Sequence, residues 1–213
     1  EYPINIFSSD SLGQGLAVFN AKNESVFNFV NFTNLSIPKK NGWELTGAIT
    51  FYQSKIIINN CVFSKNKMGD DFLNIIRSEF MINNSFFHNI LFDAFDSDFS
   101  NGTIQNSTFK DIGNDALDFS GSLIKTNNLI MDNVNDKGIS AGEASDLTIK
   151  KITISNSNIG ICSKDNSKIV FTDVKLINNK IGFTAFQKKN EFGPGYIEGK
   201  VVDMQKIETP FLI

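Results

Sequence analysis

The 213-residue sequence holds one histidine (His88), one arginine (Arg77), one tryptophan (Trp43) and two cysteines (Cys61 and Cys162). Each scarcity excludes something. A lone histidine supplies no multi-histidine metal centre. With 20 Lys+Arg against 23 Asp+Glu, the net charge is −3. That leaves no basic surplus for a phosphate backbone or an anionic bilayer, so no nucleic-acid partner is expected. No apolar run approaches the roughly 18 residues of a membrane span, so no membrane insertion is expected. The sequence opens at Glu1 with no initiator methionine, basic leader or apolar leader core, and it is expected to be part of a larger chain. Two cysteines alone define no disulfide framework.

What is present is phenylalanine, 21 residues of it, an excess of asparagine, and 41% hydrophobic residues. These residues repeat. The apolar position of a "D-x-hydrophobic-polar" motif falls at Leu73, Phe95, Leu117, Ile139, Ile161 and Phe183, each 22 residues after the last. A second column runs through Phe63, Phe87, Phe109, Met131, Ile154 and Leu176. A third, five residues earlier, runs through Ile58, Ile82, Ile104, Thr126, Ile149 and Phe171. Three columns kept in step mark a solenoid.

The leucine-rich pattern is missing, and runs of helix formers are missing too. Short alternating stretches of Ile, Val, Phe and Thr are separated by Asn, Asp, Gly and Ser at turn spacing. The pattern predicts an all-β fold, a single right-handed parallel β-helix with coils of about 22 residues. Each coil rises about 4.8 Å and stacks its apolar side chains on those of the next. A turn ladder of amides is expected at Asn60, Asn84, Asn106 and Asn128. Cys61 and Cys162 lie four coils apart, about 19 Å, too far for a disulfide.

One domain, 1–213, is expected, with irregular coils over 1–50, regular coils over 51–186, and a loop and terminal strand over 187–213. No amphipathic capping helix is evident at Glu1–Ser11. Phe27 and Phe32 repeat the five-residue spacing of Ile58 and Phe63, but 31 residues separate Phe32 from Phe63. About nine residues are therefore inserted, and Ile37–Trp43 is the predicted loop. A second loop, QKKNEFGPG, spans Gln187–Gly195.

Chemistry concentrates beside the first column. The residue after each anchor should point out of the coil: Asn74, Asp96, Asp118, Ser140, Cys162, Thr184. Two residues before the anchor stand Asp71, Asp93, Asp115 and then Lys137, with Asp70 and Asp98 nearby. Three coils thus stack carboxylates on one face. Like charges at that spacing raise one another's pKa unless a cation or donor offsets them. The patch suits Ca²⁺, which takes six to eight oxygens, with Asp93, Asp96, Asp115 and Asp118 as the ligand set. It equally suits an acid–base pair on a glycoside, with Asp96 and Asp118 as catalytic carboxyls. Asp71, Asn74, Asp93, Asp98, Asp115 and Trp43 are candidates for contacting carbohydrate or an ion. The plainer reading is that Asp71, Asp93 and Asp115 cap their own turns. His88 reads as a turn residue, Arg77 as a partner for Glu79 or a neighbouring coil, and Lys137, Glu143 and Lys164 as solvated charges. Trp43 suits stacking on a sugar ring or burial under its loop.

The segments GDDFLNI (Gly69–Ile75), DAFDSDFSNG (Asp93–Gly102), GNDALDFSGS (Gly113–Ser122) and DKGISAGE (Asp136–Glu143) resemble the pectate-lyase-like superfamily of right-handed β-helices. They also resemble β-helical segments of larger secreted proteins, some with CotH-type domains. The resemblance implies a polysaccharide partner and a secreted or cell-surface location. No Gly-His-Gly or Arg-x-Lys accompanies the GDD motif. A β-helix module that binds carbohydrate or serves as a structural spacer is therefore the first expectation. A lyase, glycoside hydrolase or epimerase using the stacked carboxylates is the second.

Overall fold

The structure, a computed structural model, describes residues 2–10 and 12–213. It is a right-handed parallel β-helix of about eight turns. Among the described residues there is no α-helix, so none is long and apolar enough to cross a membrane. Apart from one small hairpin, every strand pairing among the described residues is parallel.

All three apolar columns meet in register. Leu73 pairs with Phe95, Phe95 with Leu117, Leu117 with Ile139, Ile139 with Ile161 and Ile161 with Phe183. The Phe63 and Ile58 columns are equally continuous. Stacking of like on like follows from the one-strand rise. Phe32, Phe63, Phe87 and Phe109 form a ring ladder with centroids 5.2, 4.4 and 4.8 Å apart, and all four are fully buried. Aromatic burial on this scale is a large apolar contribution in a narrow core.

The turns carry a second ladder that sequence reading passed over. The backbone N–H of Ser54 donates to Ser78 Oγ, and the pattern repeats through Ser100, Ser122, Ser145 and Ser167 at 2.9–3.1 Å. These serines are buried, so each hydroxyl satisfies a backbone donor that would otherwise be sealed from water. The signal was a serine recurring at the coil period. The asparagines act differently from expectation. Asn60, Asn84, Asn106 and Asn128 all take positive φ, 48–56°, a backbone Asn tolerates well. Asn128 donates its amide to Asn106, but a longer amide chain runs one column away, through Asn28, Asn59 and Asn83.

At the N-terminal end, Ile4–Phe7 forms a strand beside Val30–Thr33. Glu1 and Ser11, the ends of the segment read for a cap, lie outside the described residues. The predicted loop at Ile37–Trp43 is an antiparallel hairpin, Lys39–Lys40 against Trp43–Glu44. At the other end the strand Tyr196–Gln205 runs past Val202, and Thr209–Leu212 adds a further strand on Ile181–Phe186. Both cysteines are free and buried.

Candidate functional site

Strands Asp71–Ile76, Asp93–Asp98 and Leu117–Ser120 stack in register and continue through residues 139–142. They assemble three columns on one face. Asp71, Asp93, Asp115 and Lys137 form the first. Asn74, Asp96, Asp118, Ser140 and Cys162 form the second. Asp98 and Lys164 belong to the third. Rows are about 4.8 Å apart.

The first column is nearly sealed, with Asp71 at 2%, Asp93 at 6% and Asp115 at 2% exposure. The expectation that these residues cap their own turns needs correction for all three. Asp93 Oδ1 accepts the N–H of Asp115 at 2.7 Å and the Asn114 amide at 2.6 Å. Asp115 Oδ1 accepts the N–H of Lys137 at 2.9 Å. Each caps the coil above, because a parallel rise brings the next coil's donor nearer than its own. Asp71 instead accepts from Asn74 Nδ2 at 3.1 Å.

Asn74 joins the columns. Its Nδ2 lies within hydrogen-bond reach of Asp71 (3.1 Å), Asp96 (3.3 Å) and Thr46 at the base of the Trp43 hairpin (3.2 Å). The second column was expected to point into solvent. Its side chains instead shield one another: Asn74, Ser140 and Cys162 are buried, and Asp96 and Asp118 are half-buried.

This crowding moves the proton equilibria. Burial pushes Asp71 up to about 6, and Asp93 and Asp115 up to about 7. Asp96 is raised well above the ordinary carboxylate value, by burial first and then by Asp71, Asp98 and Asp118. Asp98 is raised by burial and then by Glu143 and Asp118. Desolvation and like charge both disfavour the carboxylate, so at neutral pH the patch is a mixture of acid and carboxylate.

The charges expected to be merely solvated are partnered. Lys137 Nζ lies 3.3 Å from Asp115 Oδ1 and also pairs with Asp136. Burial opposes its charge, but the two carboxylates outweigh burial and raise its pKa. Lys164 Nζ stands 3.9 Å from Asp118 Oδ1, and Lys189 of the second loop pairs with Glu143. Their signal was positional: Lys137 continues the Asp column, and Lys164 lies two residues after Cys162. Arg77 does not pair with Glu79, which Lys55 takes; its guanidinium sits over the Phe99 ring at 5.4 Å. His88 stacks on Phe86 and contacts Asn89, away from the patch. Trp43 is 46% exposed at the hairpin.

Among the described residues, no three His, Cys, Asp or Glu side chains converge at ligating distance for a metal ion. Asp93 and Asp115, two of the expected calcium ligands, are committed to backbone donors.

No family model matches the chain. No curated protein matches it in sequence. Among solved structures, it is similar to the catalytic domain of a GH87 alpha-1,3-glucanase, an aspartate-to-alanine variant in complex with tetrasaccharides. That match has a TM-score of 0.57 at 11% identity and covers 98% of this chain and 56% of that one. A GH87 alpha-1,3-glucanase catalytic domain in complex with nigerose matches over the same shares with a TM-score of 0.51 at 11% identity. The A-module of an Azotobacter vinelandii mannuronan C-5 epimerase, with a TM-score of 0.28 at 9% identity over 94% and 77% of the two chains, is too loose a match to argue from. The chain spans just over half the length of the glucanase domains it matches, and at these identities the likeness establishes the fold alone.

Proposed function

We propose that the acidic face is a site for a neutral polysaccharide, with Asp96 and Asp118 as the reacting pair of a glycoside hydrolase. Three consecutive rows of carboxyls, part protonated and part charged, carry this reading. Adjacent rows are about 5 Å apart and alternate rows about 10 Å, near the two ends of the carboxyl separations used for glycoside cleavage. Asp96, whose proton is held by burial and by the neighbouring Asp71, Asp98 and Asp118, would give it to the glycosidic oxygen as the C–O bond breaks. Asp118, on the adjacent row with the Lys164 ammonium as counter-charge, would attack the anomeric carbon to form a glycosyl ester, which water then hydrolyses with the Asp96 carboxylate taking the water's proton.

The sign of the face selects the substrate. Lys137 and Lys164 are already taken up by Asp115 and Asp118, so the two lysines of the face are not spare for a uronate carboxylate, which argues against the lyase and epimerase chemistries of the pectate-lyase-like resemblance. The alpha-1,3-glucanase domains of similar fold, in complex with tetrasaccharides and nigerose, are compatible with a neutral glycan. On this reading the protein works where polysaccharide is met, outside the cell or at its surface.

The near-complete burial of Asp71, Asp93 and Asp115 favours a second reading, a module that binds the glycan without cutting it. Incubation with a panel of neutral and acidic polysaccharides, with and without Ca²⁺, separates the two. New reducing ends that vanish in Asp96→Asn and Asp118→Asn support the hydrolase. Binding without product supports the module. Turnover unchanged in both variants sinks the assignment of this pair.

A further inference from the structure

Asn74 touches both carboxyl columns of the acidic face at once. It stands one row from Asp96 in the same column and is only 2% exposed. Three oxygens surround its Nδ2: Asp71 Oδ2 at 3.1 Å, Thr46 Oγ1 at 3.2 Å and Asp96 Oδ2 at 3.3 Å. An amide nitrogen carries two hydrogens. Thr46 is the neighbour that needs neither, since its own hydroxyl donates to Asp71. The two hydrogens therefore fall to the two carboxyls, one sealed and one half-buried.

The amide has one workable orientation. Turned over, it would set its oxygen against both carboxyl groups. As it stands, Asn74 Oδ1 has no partner among the described residues, a cost that the two donor contacts offset. Asp96 is thus held through Oδ2, which accepts whether the group is acid or carboxylate. The contact survives both halves of the proposed cycle.

We infer that Asn74 and Asp71 are positioning residues for Asp96: the Asn74 amide fixes the carboxyl through Oδ2, leaves Oδ1 as the oxygen that gives and regains the proton, and ties it to the buried Asp71. The inference rests on the reading of Asp96 as the acid of a glycoside hydrolase and supplies what orients it. Neither residue needs to meet the substrate, which agrees with their burial.

The charges that face Asp96 are all of its own sign. After burial, Asp71 acts on it most, then Asp98, Asp118 and Asp93. The cations of the face are turned elsewhere, Lys137 to Asp115 and Asp136, and Lys164 to Asp118. Glu143, which acts on Asp98, pairs with Lys189. Burial pushes Asp71 up to about 6, so above that pH its charge stands beside Asp96 and opposes a second one.

The test follows the Asp96 carboxyl carbon by NMR in aspartate-labelled protein, assigned by its loss in Asp96→Asn. Asp71→Asn keeps the shape and the acceptor for Asn74 but removes the charge. Asn74→Leu keeps most of the volume and removes both donors. A like charge raises the midpoint of a carboxyl titration and a donor to the carboxylate lowers it. The Asp96 midpoint is therefore expected to fall by about one pH unit in Asp71→Asn and to rise in Asn74→Leu. The Asp115 carboxyl, whose leading charged neighbours are Lys137, Asp118, Asp93 and Asp136, reports an intact fold by staying in place. On a soluble neutral glucan, the basic limb of kcat/KM should move down with the Asp96 midpoint in Asp71→Asn. Asn74→Leu should lose about 10- to 100-fold in kcat with KM held within about twofold. An Asp96 midpoint that stays put in Asp71→Asn, or full kcat in Asn74→Leu, overturns the inference. A wild type that cuts no glucan, with both Asp96 shifts as expected, sinks the hydrolase reading and leaves the hold on Asp96 standing.

Discussion

The two halves of this solenoid share a backbone and differ in filling. In the N-terminal half the core is a stacked phenylalanine ladder, Phe32 to Phe109. The same column continues as Met131, Ile154 and Leu176. The outer face changes over the same boundary, from Asp71, Asp93, Asp96, Asp115 and Asp118 to Lys137, Ser140, Cys162 and Lys164. The lysines reach back across it to Asp115 and Asp118. A repeat fixes where side chains stand but not what they do. Chemistry arises where one column changes residue type and neighbouring coils face each other with unlike groups.

The sharpest way to break the contrast is to neutralise one half at a time. Asp96→Asn and Asp118→Asn should each cut turnover on a neutral polysaccharide by about 10²- to 10⁴-fold, the usual span for general acid–base groups. Cys162→Ser, in the same column, should leave it unchanged. Reducing-end assays read both, and an equal loss in Cys162→Ser would end the distinction. The cores can be compared by Phe87→Ala and Leu176→Ala. Removing a ring stacked at 4.4 and 4.8 Å should cost about 3–5 kcal/mol, and the aliphatic deletion about 2–5 kcal/mol. Urea melts should therefore rank the phenylalanine variant at or below the leucine one.

Stability against pH sharpens the difference in charge. Asp71, Asp93 and Asp115 keep their protons to about 6, 7 and 7 in the fold, against 3.8 ordinarily. Between pH 4 and 7 the native state therefore binds more protons than the unfolded chain. Stability should fall as pH rises through that window, by about 1.4 kcal/mol per unit for each such group. Flat or rising stability from pH 4 to 7 would contradict the sealed acids. Lys137→Met should add a penalty that grows from pH 5 to pH 9, towards about 3 kcal/mol, as Asp115 ionises without its partner. The smallest expected effect lies in the second half: burial pushes the Cys162 thiol up to about 11, so a thiol reagent at pH 8 should label it only on unfolding.

Much of this was written in the chain. Leu73 to Phe183 repeat at 22 residues, and a side chain cannot keep that spacing through six coils without a fixed turn of the backbone. Fold, register and the column of aspartates therefore followed from counting. One inserted segment was visible as broken spacing and a second by its Lys, Gly and Pro content, though the hairpin at Lys39–Glu44 was not. Asp93 and Asp115 misled, because a local rule suggested turns capped from within, while the donors came from the coil above. Lys137 and Lys164 misled for the same reason: as sequence they read as solvated charges beside the carboxylate face, and as structure they are the counter-ions of Asp115 and Asp118.

By itself, then, the sequence determined the period, the parallel stack and which residues share a face, since each rests on spacing along one chain. The tertiary structure decided which of those residues touch, which are sealed from water and which hold their protons. Those properties depend on groups 22 residues apart brought to about one strand spacing, where burial and charge act across space and the order of residues along the chain no longer counts.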